Sequence, residues 1–258
     1  MKRISLRHGL AWMGTVALIA LGTVGLSATS ASALPLQCVG SETSGDDNIL
    51  CPFLLVGQTV NSGGGNDSIT VVASAGGTVN AGAGADDVTV GGIALGGSIS
   101  TAGGADTVTI LGVATGSLDT GADDDVVNVD GNSSGTVSLG GGADRITVLG
   151  TVTFDSISGG LGADIFNLAA VLNSNSPEGG GGNDTVNVAS CTNSTLAGNG
   201  ENDVIDVDIA LDCNILGGAG DDSLHVGVGG TGTVNGGSGT DTCEEDLPFF
   251  GSEIACEV

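Results

Sequence analysis

An aspartate returns along this chain at a nearly constant interval: Asp47, Asp67, Asp86, Asp106, Asp125, Asp144, Asp164, Asp184, Asp203, Asp222 and Asp241. The successive spacings are 20, 19, 20, 19, 19, 20, 20, 19, 19 and 19 residues. Such a period means that one small structural unit is stacked many times. Apolar residues keep step with it. Pairs two and four places after the aspartate, such as Ile69 and Val71, Val88 and Val90, Val108 and Ile110, Ile146 and Val148, and Leu224 and Val226, are spaced to face one side of a strand. A second rank stands seven places before the aspartate: Val60, Val79, Ile99, Leu118, Val137, Ile157, Leu196, Ile215 and Val234, broken only by Pro177.

Each period therefore holds two short strands flanking a glycine-rich turn. The block from seven places before the aspartate to four after it never changes length, and only the opposite, far turn alternates between 7 and 8 residues. The pattern predicts an all-β fold, a parallel β-roll or β-solenoid of about ten coils with 19–20 residues per coil. One repeat cannot bury its few apolar residues alone, whereas stacked coils share a thin continuous core. No segment shows helical periodicity, and glycine is too frequent for helices.

Stacking puts like charges side by side. Carboxylates about 5 Å apart repel by about 3 kcal/mol per pair at an effective dielectric of 20, and turns such as Asp86-Asp87 and Asp123-Asp124-Asp125 add a second or third acid. Summed along the ladder this rivals the whole stability of a domain, so the row calls for cations. Calcium fits best, since it accepts six to eight oxygen ligands with flexible geometry. The candidate ligands are the eleven aspartates, with turn backbone from Gly63, Gly65, Gly82, Gly84, Gly140, Gly142, Gly159, Gly160, Gly162, Gly180, Gly182, Gly217, Gly218, Gly220, Gly236, Gly237 and Gly239. Magnesium prefers tight octahedral geometry. Zinc and copper would need a recurring His or Cys cluster, which is missing from the sequence. The simpler alternative is that Asp and Asn cap the turns through side-chain hydrogen bonds. The weakest sites are expected at the ends, around Asp47 and Asp241, and beside Asp125, where Asp123 replaces a turn glycine.

The stretches GGLGADIFN (159–167), GGAGDDSLH (217–225) and GGSGTDTCE (236–244) resemble the GGxGxDxUx nonapeptide of the RTX, or hemolysin-type, calcium-binding repeats. The resemblance covers about residues 42–245, with the other copies degenerate. It implies a parallel β-roll whose turns hold calcium through aspartate carboxylates and turn carbonyls. Here the nonapeptide occurs once per coil rather than twice, which implies calcium along one edge only.

Composition sets further limits. Lys2, Arg3 and Arg7 precede an apolar stretch from about Leu10 to Leu26 and an Ala31-Ser32-Ala33 site, the order of a secretory signal peptide spanning 1–33. After it, Arg145 is the only Lys or Arg against all 30 acidic residues, a formal charge of about −29. That balance excludes nucleic acid and anionic membrane surfaces as partners. No later segment suits a membrane span, so the expected location is extracellular and the expected partners are calcium and an extracellular surface or carbohydrate. The six cysteines in an exported chain favour disulfides, with about 15 pairings open to the sequence, of which the local one would join Cys38 with Cys51, Cys191 with Cys213 and Cys243 with Cys256. The outer pairs mark terminal caps at 34–61 and 244–258, flanking repeats at 62–243.

Catalysis has little to draw on. His225, the one histidine after residue 33, sits on the outward strand rank that elsewhere holds Thr70, Thr89, Thr109, Asn128, Thr147, Asn167 and Asn187. It has no nucleophile at a fixed spacing, and a phosphate loop would need a following Lys or a helix. No enzyme is expected. The Thr/Asn rank leaves a carbohydrate- or ice-binding, adhesin-like face as the alternative, with a secreted hydrolase behind it.

Overall fold

A computed structural model describes residues 38–40, 43–93, 96–153, 156–173, 175–246 and 252–256. The signal peptide expected at 1–33 lies outside them. Among the described residues, twenty-one strands form a single sheet wound into parallel coils, and no helix is long and apolar enough to cross a membrane.

The rank two places after the aspartate becomes one unbroken column, running Ile49, Ile69, Val88, Val108, Val127, Ile146, Phe166, Val186, Ile205, Leu224 and Cys243 in direct register. The rank seven places before it stacks the same way from Val60 to Ile157 and again from Leu196 to Val234. Apart from the half-buried Cys243 at the last coil, these columns are buried and form a single core. Parallel strands suit this arrangement, because every interior position is covered by the coils above and below.

A third inward column runs along the far edge through Leu54, Ala75, Ile93, Ala114, Ser133, Val152, Val171, Cys191 and Ala210. The pairing register shifts between Val71 and Ser74 and between Val148 and Thr151, so the length variation is absorbed in the far segments. One expectation is corrected there. Two short strands per coil hold for most of the chain, but Cys191–Gly200 and Val204–Ala219 each run on as longer strands. Asn193 and Asp212, at φ of 48° and 52°, bend the chain while pairing continues on either side of them.

All three disulfides form as the local pairing anticipated. Cys191 and Cys213 are buried and join neighbouring coils inside the far edge. At the N-terminal end Val39 and Leu50 exchange two 2.7 Å backbone hydrogen bonds, covering the outer edge of Asn48–Cys51 beside the Cys38–Cys51 bridge. At the other end Ser252–Ile254 pairs with Gly232–Ser238, and Cys243–Cys256 holds it there. Both covers remove the open edges that a solenoid would otherwise expose.

Candidate cation site along the aspartate edge

The repeated aspartates point into the solenoid. Asp47 is 5 % exposed and the other ten are 0–2 % exposed. Each carboxylate after the first accepts, through Oδ1, the backbone N–H of the aligned aspartate one coil earlier, from Asp47 N to Asp67 at 2.8 Å through to Asp222 N to Asp241 at 3.0 Å. The carbonyl of the aspartate in turn accepts from the residue after the next one, as in Ser68 N to Asp47 O at 2.8 Å. Capping is thus real, and along the ladder it runs chiefly between coils. Asp47 begins the ladder by accepting the Thr43 N–H at 2.6 Å and the Thr43 hydroxyl at 3.1 Å.

The second oxygen is the unusual one. Oδ2 of Asp67, Asp86, Asp144, Asp164, Asp184, Asp203 and Asp222 is buried without a hydrogen-bond partner, while at Asp106 and Asp125 the Thr101 and Thr120 side chains stand beside the carboxylate and favour its charged form. A buried carboxylate oxygen left bare is costly. Burial accordingly raises the pKa of Asp86, Asp164 and Asp184 to about 6 and of Asp125 and Asp203 to about 7, although the backbone hydrogen bond opposes it. Asp106, Asp144 and Asp222 are raised as well, again chiefly by burial.

The glycines serve two purposes. Four and two places before the aspartate, the backbone takes positive φ and the α-carbon lies against the previous coil. Gly162, at φ 123°, faces the Gly142 carbonyl so closely that a Cβ could not fit. Ala102, Asp123, Asn199 and Glu201 fill such places in other coils at φ of 69–82°. Five places before the aspartate the reason is room: Gly159, Gly217 and Gly236 leave space that the aspartate side chain occupies. Outside the turn a second, exposed ladder links the preceding positions, including Asn66 N to Asp46 and Asp221 N to Asn202.

The donor set fits a hard cation. Its atoms are carboxylate and carbonyl oxygens, and the bare Oδ2 row gives a cation something to neutralise. No three His, Cys, Asp or Glu side chains converge among the described residues, so such an ion would draw on turn carbonyls and water as well.

The other candidates fall elsewhere. His225 lies on the outward face with Nδ1 at 2.7 Å from Asp206 and Nε2 at 3.5 Å from Asp246, and the Asp206 hydrogen bond raises its pKa. The outward Thr/Asn rank is in register from Thr70 to Asn187, then becomes Asp206, His225 and Glu244. A more uniform rank escaped the sequence reading, eight places before the aspartate: Thr59, Thr78, Ser98, Ser117, Thr136, Ser156, Ser176, Thr195, Asn214 and Thr233. The same arithmetic that located the apolar ranks would have found it.

No protein-family model matches the chain, and neither does any curated protein. A solved structure does resemble it: the X-ray crystal structure of a hyperactive, Ca2+-dependent, beta-helical antifreeze protein from an Antarctic bacterium. The two share 23 % identity at a TM-score of 0.63, over 87 % of this chain and 82 % of that one. The likeness is one of fold, a parallel β-solenoid.

Proposed function

We propose that this protein is a secreted, calcium-binding structural or interaction module without catalytic activity, in which calcium along the aspartate edge ties each coil to the next. The reading rests on the row of buried, partnerless Oδ2 atoms. Aspartates of this row, with the turn backbone around them, would hold the ions, and bound calcium would supply the charge that their buried carboxylates lack. Binding energy of that kind adds directly to folding stability. The RTX-like nonapeptides and the Ca2+-dependent solenoid neighbour support the same conclusion. Isothermal titration calorimetry on the mature, disulfide-bonded chain tests it: several calcium ions should bind with magnesium unable to replace them, and absence of calcium binding would refute it.

A second reading concerns the outward faces. The Thr/Ser/Asn rank from Thr59 to Thr233 carries no charge on a chain with a formal net charge of −26, and the neighbour is an antifreeze protein. A regular face of hydroxyls suits a neutral, ordered partner such as ice. Thermal hysteresis in calcium-containing buffer would support that role, and its absence would remove it.

A further inference from the structure

The aspartate ladder changes character halfway along. Five places before the aspartate, the inward position is Ser62, Ala81, Thr101, Thr120 and Leu139 in the N-terminal coils, all fully buried. In the C-terminal coils the same position is Gly159, Gly179, Gly198, Gly217 and Gly236. We propose that calcium occupies the turns of Asp164 to Asp241, whereas in the turns of Asp67 to Asp144 protein side chains take the place of the ion. This rests on the calcium reading above and assigns its sites.

Oxygen atoms and side-chain bulk separate the two halves of the ladder. In the C-terminal coils, a Cβ at Gly159 would collide with Asp164 Oδ2 and with the carbonyl of Gly179 in the next coil. At Gly217 the colliding oxygens are Asp222 Oδ2 and the Gly236 carbonyl. A carboxylate oxygen and a carbonyl oxygen thus converge on one point beside a glycine, where that rank brings no side chain between them. In the N-terminal coils that rank is filled with side chains. The Ser62, Thr101 and Thr120 hydroxyls donate to the carbonyls of Ala81, Thr120 and Leu139 at 2.7–3.0 Å, so those carbonyls already have a partner. Ala81 and Leu139 put methyl groups there instead, which offer a cation nothing. Hydroxyls and packed carbon hold the first five turns together, whereas in the last five the aspartate carboxylate itself moves in against the glycine.

Native mass spectrometry of the full mature chain in calcium, with hydrogen exchange with and without EDTA, tests the division. Asp203→Asn should lose at least one bound ion relative to wild type, and Asp86→Asn should keep the full number. Calcium should slow exchange at least tenfold in the turns at 159–164, 179–184, 198–203, 217–222 and 236–241, and leave those at 62–67, 81–86, 101–106, 120–125 and 139–144 unchanged. Equal ion loss in both variants, or equal slowing in both sets of turns, would overturn the division while leaving calcium binding intact. No bound calcium in the wild-type chain would overturn the calcium reading itself, and the division with it.

Discussion

On the far edge of each coil the inward column is mostly apolar, from Leu54 and Ala75 to Cys191 and Ala210. On the opposite edge the corresponding column is a ladder of carboxylates, each one hydrogen-bonded to the coil before. Both edges turn the same chain through the same stack, yet only the far edge contains register shifts. Apolar packing is non-directional and accommodates an extra residue. A hydrogen-bonded rung has a fixed length and angle, so it does not. Sequence period is therefore kept constant where directional polar contacts close the coil and drifts where packing does.

Inserting one residue on each edge should separate the two most strongly. An alanine between Gly131 and Asn132, in a far segment, should cost about 1 kcal/mol or less, because neighbouring coils already differ there by one residue. The same insertion between Gly162 and Ala163 should cost more than about 3 kcal/mol. It displaces Asp164 from the Asp144 N–H and leaves buried polar groups unpaired. Calorimetric melts would measure both, since the chain after residue 33 has no Trp or Tyr for fluorescence. Equal losses would show that the two edges are alike.

Glycines within one aspartate turn differ as well. Gly162→Ala forces a Cβ onto the Gly142 carbonyl at a positive φ and should cost about 2–3 kcal/mol. Gly141→Ala meets only ordinary contacts at 3.9–4.0 Å and should change stability by no more than about 0.5 kcal/mol. Urea denaturation of the two variants, compared at the same calcium concentration, checks the ratio.

How much of this was legible follows from what a period can encode. Spacing alone located the aspartate register, both strand ranks and the constant turn, because stacked coils repeat each position faithfully, whereas the disulfide connectivity needed the fold. It placed Phe166 and Leu168 in the core and Asn167 outward, as found. What a period cannot encode is which atoms a carboxylate meets. The inter-coil bond to the preceding aspartate N–H depends on the side-chain torsion, and the bare Oδ2 is visible only once the neighbours are placed. The change from Ser62, Ala81, Thr101, Thr120 and Leu139 to glycine was readable letter by letter, but its meaning required knowing that this rank faces the carboxylates.

The smallest effect is one of pH on the metal-free chain. Burial holds Asp86, Asp164 and Asp184 at about 6 and Asp125 and Asp203 at about 7, against about 4 in the unfolded chain. A raised carboxyl pKa means that the folded state retains protons which the unfolded state releases. The stability is therefore complete below about pH 4 and declines as pH rises through 6 to 7. In EDTA the melting temperature should be higher at pH 5 than at pH 8, and with calcium that order should reverse, because ion binding needs the carboxylates ionised. A far-edge change such as Ser133→Ala, which removes a buried hydroxyl without a partner, should leave this pH profile unchanged.

The most direct test of the account is the calorimetric melt of the mature protein at pH 8 in EDTA, in calcium and in magnesium. Calcium at a hundred times its dissociation constant should add about 2.7 kcal/mol for each independent site. The melting temperature should therefore rise markedly with calcium and hardly at all with magnesium. Superimposable melts in EDTA and calcium would contradict the claim that the buried carboxylates of the aspartate edge are completed by calcium.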